Sequence, residues 1–418
     1  MQVMLEQVGF VRWMRRLLTL LLWAVVVLCL VATAAPFFLD RVYYRGPVSG
    51  HFDGTRFFNP DGDALDISAT RRNRLLWQQV FGDPTRPNWP ERVAVTQGKP
   101  PARVEGGAMR VTWIGHATVL VQADGVNILT DPVWSDTVGP FGLGPKRIAE
   151  PGVRFEDLPR IDLVLVSHNH YDHMDLATLK RLWDRDRPVI VTSLGNDSVI
   201  ASAGVHAEAR DWGGVVKVAH PCAHPPAGPD AQGRVPPPCL TPPIATVQVT
   251  RSHHWGSRWF ADRSRALWSS FVVHLPHGNF FFAGDTGLGD GKWPAEAAAL
   301  GSVRFAAIPI GAFRFEEGQM ASGSHIGPPD AIRVWDGLGR PDALAVHWGT
   351  FRLSREGYAT PPAMLREMLR CAGEDPARFA AHRIGETFAV PALGAAPPPP
   401  DYAGLDACIR DRRFAALR

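Results

Sequence analysis

The stretch Ile161 to Asp184, IDLVLVSHNHYDHMDLATLKRLWD, admits few folds. Its first part, IDLVLVS (161–167), is a continuous apolar run of strand length, as in a strand buried on both faces. MDLATLKRLWD then shows helical periodicity. Between them, His168, His170 and His173 stand with Asp172 and Asp175 in a ten-residue loop from Val166 to Asp175. A strand, a loop full of polar donors and a helix, in that order, predict an α/β domain with chemistry at a strand end.

Histidine nitrogens and carboxylate oxygens are the donors that zinc and similar ions take up. On an extended segment His168 and His170, two apart, point the same way. Asp172 and His173 follow as the chain turns towards the helix. Four donors within six residues exceed what one ion draws from one loop and suit two neighbouring ions. The remaining ligands should then lie at other strand ends. FFFAGDTG places Asp285 after an apolar run, where its carboxylate could bridge two cations. ALAVHWGTF places His347 similarly, and SHHWGSRW offers His253 or His254, which point oppositely on an extended chain.

The surrounding pattern is that of strands with interspersed helices. MRVTWIGHATVLVQADGVNILTDP reads as three short strands, with Asp124-Gly125 a hairpin turn. Strands are also expected at 244–250, 279–284, 304–310, 342–348 and 385–390, and a helix at PPAMLREMLRCAG. Residues 221–243 are too rich in proline for a central strand or a helix and predict a surface insertion. No internal repeat is present.

WIGHATVLVQADGVNILTDP, SHNHYDH, HHWGSR, FAGDTG and AVHWGTF occur together in this order. In this the chain resembles the metallo-β-lactamase superfamily, most closely its branch containing N-acylphosphatidylethanolamine phospholipase D. The resemblance implies an αββα sandwich of the metallo-β-lactamase type over 107–390, with a dinuclear zinc centre at one edge. It assigns His168, His170 and His254 to one ion, and Asp172, His173 and His347 to the other, with Asp285 bridging. His253 is then the neighbour that faces away. Manganese or iron would also suit such mixed ligands. A hydroxide shared by the two metals is the expected nucleophile, with Asp172 and Asp285 in the catalytic set. His325, in GSHIGPPDA, resembles a histidine close to substrate in that branch, and is expected to bind a phosphoryl oxygen or protonate the leaving group, against the alternative of a polar surface loop. Asp131 is either an orienter of a ligand histidine or a turn residue before proline. His116 in GHAT is expected to be structural. Arg258 and Arg314 are candidates for phosphate binding, with solvated surface arginines as the alternative. His220, His224, His274 and His277 are expected at the surface.

At the N-terminus, the 23 residues from Leu17 to Leu39 carry no charge, after Arg12, Arg15 and Arg16. As a helix that run crosses a bilayer core of about 30 Å. A single transmembrane anchor at 17–39 is expected, behind a basic segment at 1–16; a signal peptide cleaved near Ala32-Thr33-Ala34 is the alternative. Both put the bulk of the chain on the outer, periplasmic side. Residues 40–106 would form a polar extension packing on the catalytic domain, and 391–418 a proline-rich linker with a short basic helix. Cys222, Cys239, Cys371 and Cys408 are compatible with two disulfides or four free thiols.

A membrane-anchored hydrolase acting on a phosphodiester, plausibly an N-acylphosphatidylethanolamine-type phospholipid, is the expected function. A lactonase or esterase on the same metals is an alternative. A net charge of +3 over 418 residues gives nucleic acid no support as a partner, which disfavours a nuclease. A non-catalytic, metal-stabilised envelope module would not need all seven ligands. Oligomeric state and acyl-chain preference leave no mark on the sequence.

Overall fold

Apolar alternation in a few short runs builds two sheets whose strand ends meet at one rim. The computed structural model describes residues 2–62, 86–219, 244–259, 261–316, 319–395 and 400–410. The proline-rich insertion, with Cys222, Cys239, His220 and His224, lies outside the described residues.

With strands numbered in chain order, β1 (Met109–Gly115), β2 (Thr118–Ala123) and β3 (Val126–Thr130) form the expected antiparallel meander. Asp124 and Gly125, at φ +49° and +77°, make its tight turn. β4 (Leu163–Val166), β5 (Val189–Ser193) and β6 (Glu208–Arg210) continue the sheet in parallel from β3. The second sheet holds β7 (Val215–Val218), β8 (Ala245–Thr250), β9 (Ser270–His274), β10 (Asn279–Phe282), β11 (Val303–Pro309), β12 (Asp342–Val346) and β13 (Phe379–Ala380). β14 (Thr387–Val390) returns to the first sheet and pairs with β1. The strand orders are β14-β1-β2-β3-β4-β5-β6 and β13-β12-β11-β10-β9-β8-β7.

Strand period decides which layer each side chain joins. Phe280 and Phe282 enter the core between the sheets with Phe305, Leu163 and Leu165. Phe281 turns the other way, joining Ile308, Trp335 and Met364 under the helices on the second sheet. Those helices are α4 (Trp293–Ala298), α5 (Pro328–Gly337), α6 (Thr360–Cys371) and α7 (Tyr402–Arg410). Val164 and Val166 face the opposite outer layer, packing with Leu179 and Leu182 of α2 (Leu176–Asp186) and Ile200 of α3 (Asn196–Ala201). Two sheets between two helical layers fit the αββα sandwich.

The N-terminal helix α1 (Gln2–Leu39) is separate from these layers. Its segment Arg12–Ala34 has a mean hydropathy of 2.7, is 0% buried, and is long and apolar enough to cross a membrane. Signal sequences share that length and composition. The chain after it packs on the domain: Asp40 accepts from Arg265, Asn59 donates to the His254 carbonyl, and Trp89 to that of Glu356. At the other end a disulfide joins Cys371 on α6 to Cys408 on α7. Of the expected basic C-terminal helix, α7 is the described part.

Candidate metal centre

Six strand ends converge on the rim. β4 leads into His168 and His170, β8 into His254, β10 into Asp285 and β12 directly into His347. His116 directly follows β1 and Asp131 directly follows β3. The loop after β4 is closed by α2, whose N-cap is Asp175: its carboxylate accepts from the Ala177 and Thr178 amides and also from Ser135. The cap therefore fixes the far end of the histidine loop as well as starting the helix. Gly284 is required before Asp285, because it sits at φ +61° and a Cβ there would lie 2.6 Å from that of Ser167.

Two four-residue groups of donors result among the described residues, His168, His170, His254 and Asp285, and His116, Asp172, His173 and His347, with a third, Asp285, His325 and His347, overlapping both; within each the atoms lie within 4.8 Å of one another. In the first, His168 Nε2 lies 2.8 Å from His170 Nδ1, and His254 Nε2 lies 3.4 Å from it. In the second, His173 Nε2 is 3.1 Å from His347 Nε2, and Asp172 Oδ2 is 3.4 and 3.5 Å from them. Asp285 belongs to the first and lies against the second. Its Oδ2 is 3.1 Å from His173 Nε2 and 4.0 and 3.9 Å from His168 and His254, while its Oδ1 is 3.1 Å from His347. The structure thus brings all seven residues expected to hold metal into one buried cluster.

Outer contacts fix the histidine tautomers. His173 Nδ1 donates to Asp131 Oδ2 over 2.6 Å, His347 Nδ1 to the Gly311 carbonyl over 2.9 Å and His254 Nδ1 to that of Ser324 over 2.8 Å. Ser167 Oγ donates to Asp131 and so accepts from His168 Nδ1. Four Nε2 atoms are left facing the cluster, too close to one another to be comfortable without protons or a cation between them. His170 Nε2 and Asp285 Oδ1 are buried and have no aligned hydrogen-bond partner.

Electrostatics points the same way. Burial pushes His168, His170, His254 and His325 down, His170 to about 4 and His254 and His325 to about 3. Burial would also raise Asp172 and Asp285, but His173 leads the neighbours that outweigh it, so both carboxyls stay well below their usual range. Conversely, burial opposes charge on His173 and His347, yet the two aspartates hold His173 well above its ordinary value and His347 up to about 9. Two buried carboxylates are balanced here by protons on two histidines. A divalent cation replaces such protons on binding, so the donor set fits metal in both groups.

The remaining candidates fall out as follows. Asp131 is fully buried against His173 and Ser167, an orienting position and not a simple turn. His253 faces away, with Nδ1 3.0 Å from Asp61. His325 stands at the edge of the cluster, its Nδ1 3.8 Å from Asp285 Oδ2. His277 is exposed beside Asp124, and His274 is half-buried at the end of β9. Neither candidate phosphate arginine is a solvated surface residue. Arg314 is buried and donates to the Gln319 carbonyl, and half-buried Arg258 donates to carbonyls of the histidine loop. His116, expected to be structural, is buried with its Nε2 3.0 Å from Asp172 Oδ2, and burial lowers it to about 3. Its place in GHAT, directly after a strand, was the available signal. His116, Asp131 and His347 all have positive φ, at +54°, +31° and +62°, and such strain gathers at functional sites.

Comparison with known proteins supplies the lineage. The chain is 32% identical over 267 residues to N-acyl-phosphatidylethanolamine-hydrolyzing phospholipase D 1 of Caenorhabditis elegans, which covers 62% of this chain and 69% of that protein. It is 31% identical over 280 residues to the mitochondrial N-acyl-phosphatidylethanolamine-hydrolyzing phospholipase D of Saccharomyces cerevisiae, covering 66% of this chain and 55% of the relative. An uncharacterized protein of Mycobacterium bovis is 31% identical over 329 residues, or 76% of this chain and 77% of that one. Residues 126–348 match the family described as "Beta-lactamase superfamily domain". Since that match takes in over half of the 418 residues, the chain belongs to the beta-lactamase superfamily, as one of its metal-dependent hydrolases.

Proposed function

We propose that this hydrolase holds two zinc ions and cleaves the phosphodiester of an N-acylphosphatidylethanolamine-type phospholipid, in the manner of a phospholipase D. His168, His170 and His254 would hold one ion, and Asp172, His173 and His347 the other, with Asp285 between them. The observation that carries the reading is Asp285, whose one carboxylate reaches histidines of both donor groups at 3.1 to 4.0 Å. Manganese or iron would satisfy the same donors.

Bound there, divalent cations supply Lewis acidity, which lowers the pKa of water and polarises a phosphoryl group. Asp172 and Asp285 furnish the negative charge that holds the cations and can accept hydrogen bonds from an attacking water. Asp131, Ser167, Ser324 and Gly311 keep the histidines in the required tautomers, so little reorganisation accompanies the reaction. His325, at the edge of the cluster, is placed to bind a phosphoryl oxygen or pass a proton to the departing alkoxide. Water adds to phosphorus, the bond from phosphorus to the ethanolamide oxygen breaks, and the alkoxide takes up a proton. Phosphatidate and an N-acylethanolamine are the products.

Lipid as substrate is supported by the two relatives named for that hydrolysis. The apolar helix α1 supports an anchor that would keep the site at a bilayer surface. A disulfide between Cys371 and Cys408 supports an oxidising compartment, hence the periplasmic side.

The test is mass spectrometry of products from N-acylphosphatidylethanolamine in mixed micelles with the full chain. Release of N-acylethanolamine that chelator abolishes and zinc restores is the expected result. Turnover of an ester or lactone with the lipid left intact would move the function to the alternative hydrolysis on the same centre.

A further inference from the structure

We infer that Arg258 is a positioning residue that clasps the metal-holding loop, and that Tyr43, four residues past the apolar helix, locks the clasp through Asp262. The inference rests on the reading of residues 168–173 as metal ligands.

The contacts run in both directions. Arg258 Nη1 donates to the Met174 carbonyl over 2.8 Å and to the Asn169 carbonyl over 3.3 Å. These two carbonyls bracket His170, Asp172 and His173. In return, Tyr171 Oη, from the middle of the loop, donates to the Arg258 carbonyl over 3.0 Å, and its ring lies 4.1 Å beneath the guanidinium. A guanidinium is suited to this task, since one of its planar nitrogens presents two N–H donors to two acceptors while its face rests on an aromatic ring. Burial disfavours its charge, which Tyr171, Tyr43, Asp175 and Asp262 nearby offset only in part, and the loop carbonyls are the acceptors it serves.

The other side of the clasp is fixed by Asp262, which is fully buried. Its Oδ1 accepts from Ser257 Oγ over 2.7 Å and from the Arg258 amide over 3.0 Å. Its Oδ2 accepts from Tyr43 Oη over 2.7 Å. Tyr43 is held in turn, because Ser198 on α3 donates to its carbonyl. Nearby, Asp40 accepts from Arg265 and the Arg41 guanidinium covers the Trp259 ring at 4.4 Å. The segment leaving α1 is thus tied to the loop that follows His254, and that loop to the loop carrying His168–His173. Order at the helix exit and order of the ligands are coupled by four successive contacts: Tyr43 to Asp262, Asp262 to Arg258, and Arg258 to two carbonyls.

Zinc affinity of the full chain in detergent micelles, read by competition with a chromophoric chelator, tests this. Arg258→Met should still unfold in one transition when metal-free, but bind zinc about tenfold or more weakly, the lower end of the usual effect of outer partners. Arg258→Lys should recover part of the loss, since an ammonium can donate to the loop carbonyls but lacks the planar face that rests on Tyr171. Tyr43→Phe, which removes a single hydroxyl, should weaken binding about threefold, the effect of one hydrogen bond. With cobalt in place of zinc, the visible spectrum of Arg258→Met should shift, which a purely global loss of stability would not cause. Folded Arg258→Met with wild-type zinc affinity overturns the clasp. If Arg258→Met does not fold, Tyr43→Phe decides, and unchanged affinity there overturns it equally. A wild type without tight zinc would instead remove the metal reading itself, and the clasp with it.

Discussion

Asp285 is the residue that joins the two donor groups, because its one carboxylate lies against histidines of each. Asp285→Asn keeps the shape and removes the charge, so zinc content should fall below that of the wild type, and kcat/KM on a phosphodiester should fall by about a thousandfold or more. Retained turnover with both metals gone would refute its assignment. His325 makes a contrasting case. It lies 3.8 Å from Asp285 but is read as facing substrate, so His325→Gln should leave metal content intact while kcat drops by about 10²- to 10⁴-fold, the range of general acid catalysis. Asp131→Ala frees His173 to turn, and zinc affinity should weaken by about ten- to a hundredfold in a chelator competition. At this scale the sequence was legible where candidate ligands follow apolar runs: the spacing of His168 and His170 and the strand-end positions of Asp285 and His347 pointed to side chains that the structure brings together. It was opaque where a residue's role depends on partners far along the chain. Arg258 meets carbonyls 84 and 89 positions away, and His116 meets Asp172 across 56, so neither burial nor partner was visible locally.

Among the elements, strands with a strong apolar period stood out in the sequence and α2 did too, since Asp175 precedes a helical pattern. β6 (three residues), β13 (two) and β9, reached through Trp268 and two serines, were too short or too mixed to signal themselves. They exist because they extend sheets nucleated by stronger neighbours, which is tertiary context overriding local propensity. α5 begins with two prolines, a breaker in mid-helix but a good first turn. Asp175 illustrates how an element and the site share a residue. Its loss removes a helix cap together with the bonds to Ser135. Asp175→Ala should therefore lower unfolding free energy by about 2 kcal/mol in urea titrations, at the upper end for a cap. A change under 0.5 kcal/mol, roughly that of an exposed surface site, would show the cap to be incidental.

Taken whole, the molecule is a scaffold that orders a cluster of metal-binding side chains at one rim, with an apolar helix leading into it. Ligand linkage follows: zinc at about a hundred times its dissociation constant should stabilise the fold by about 2.7 kcal/mol, seen as a rise in Tm that chelator reverses. The αββα architecture was readable from the order of strands and helices and from the resemblance of five motifs, whereas the fastening of residues 40–62 to the loops around the site was not, because its contacts join segments some 200 residues apart. Metal content of the purified full chain, by elemental analysis after exhaustive dialysis against chelator-free buffer, tests the central claim most directly. Two metals per chain in the wild type, with fewer in Asp285→Asn, is the predicted result. One metal or none in the wild type, or two in both proteins, would contradict a centre built around a shared Asp285.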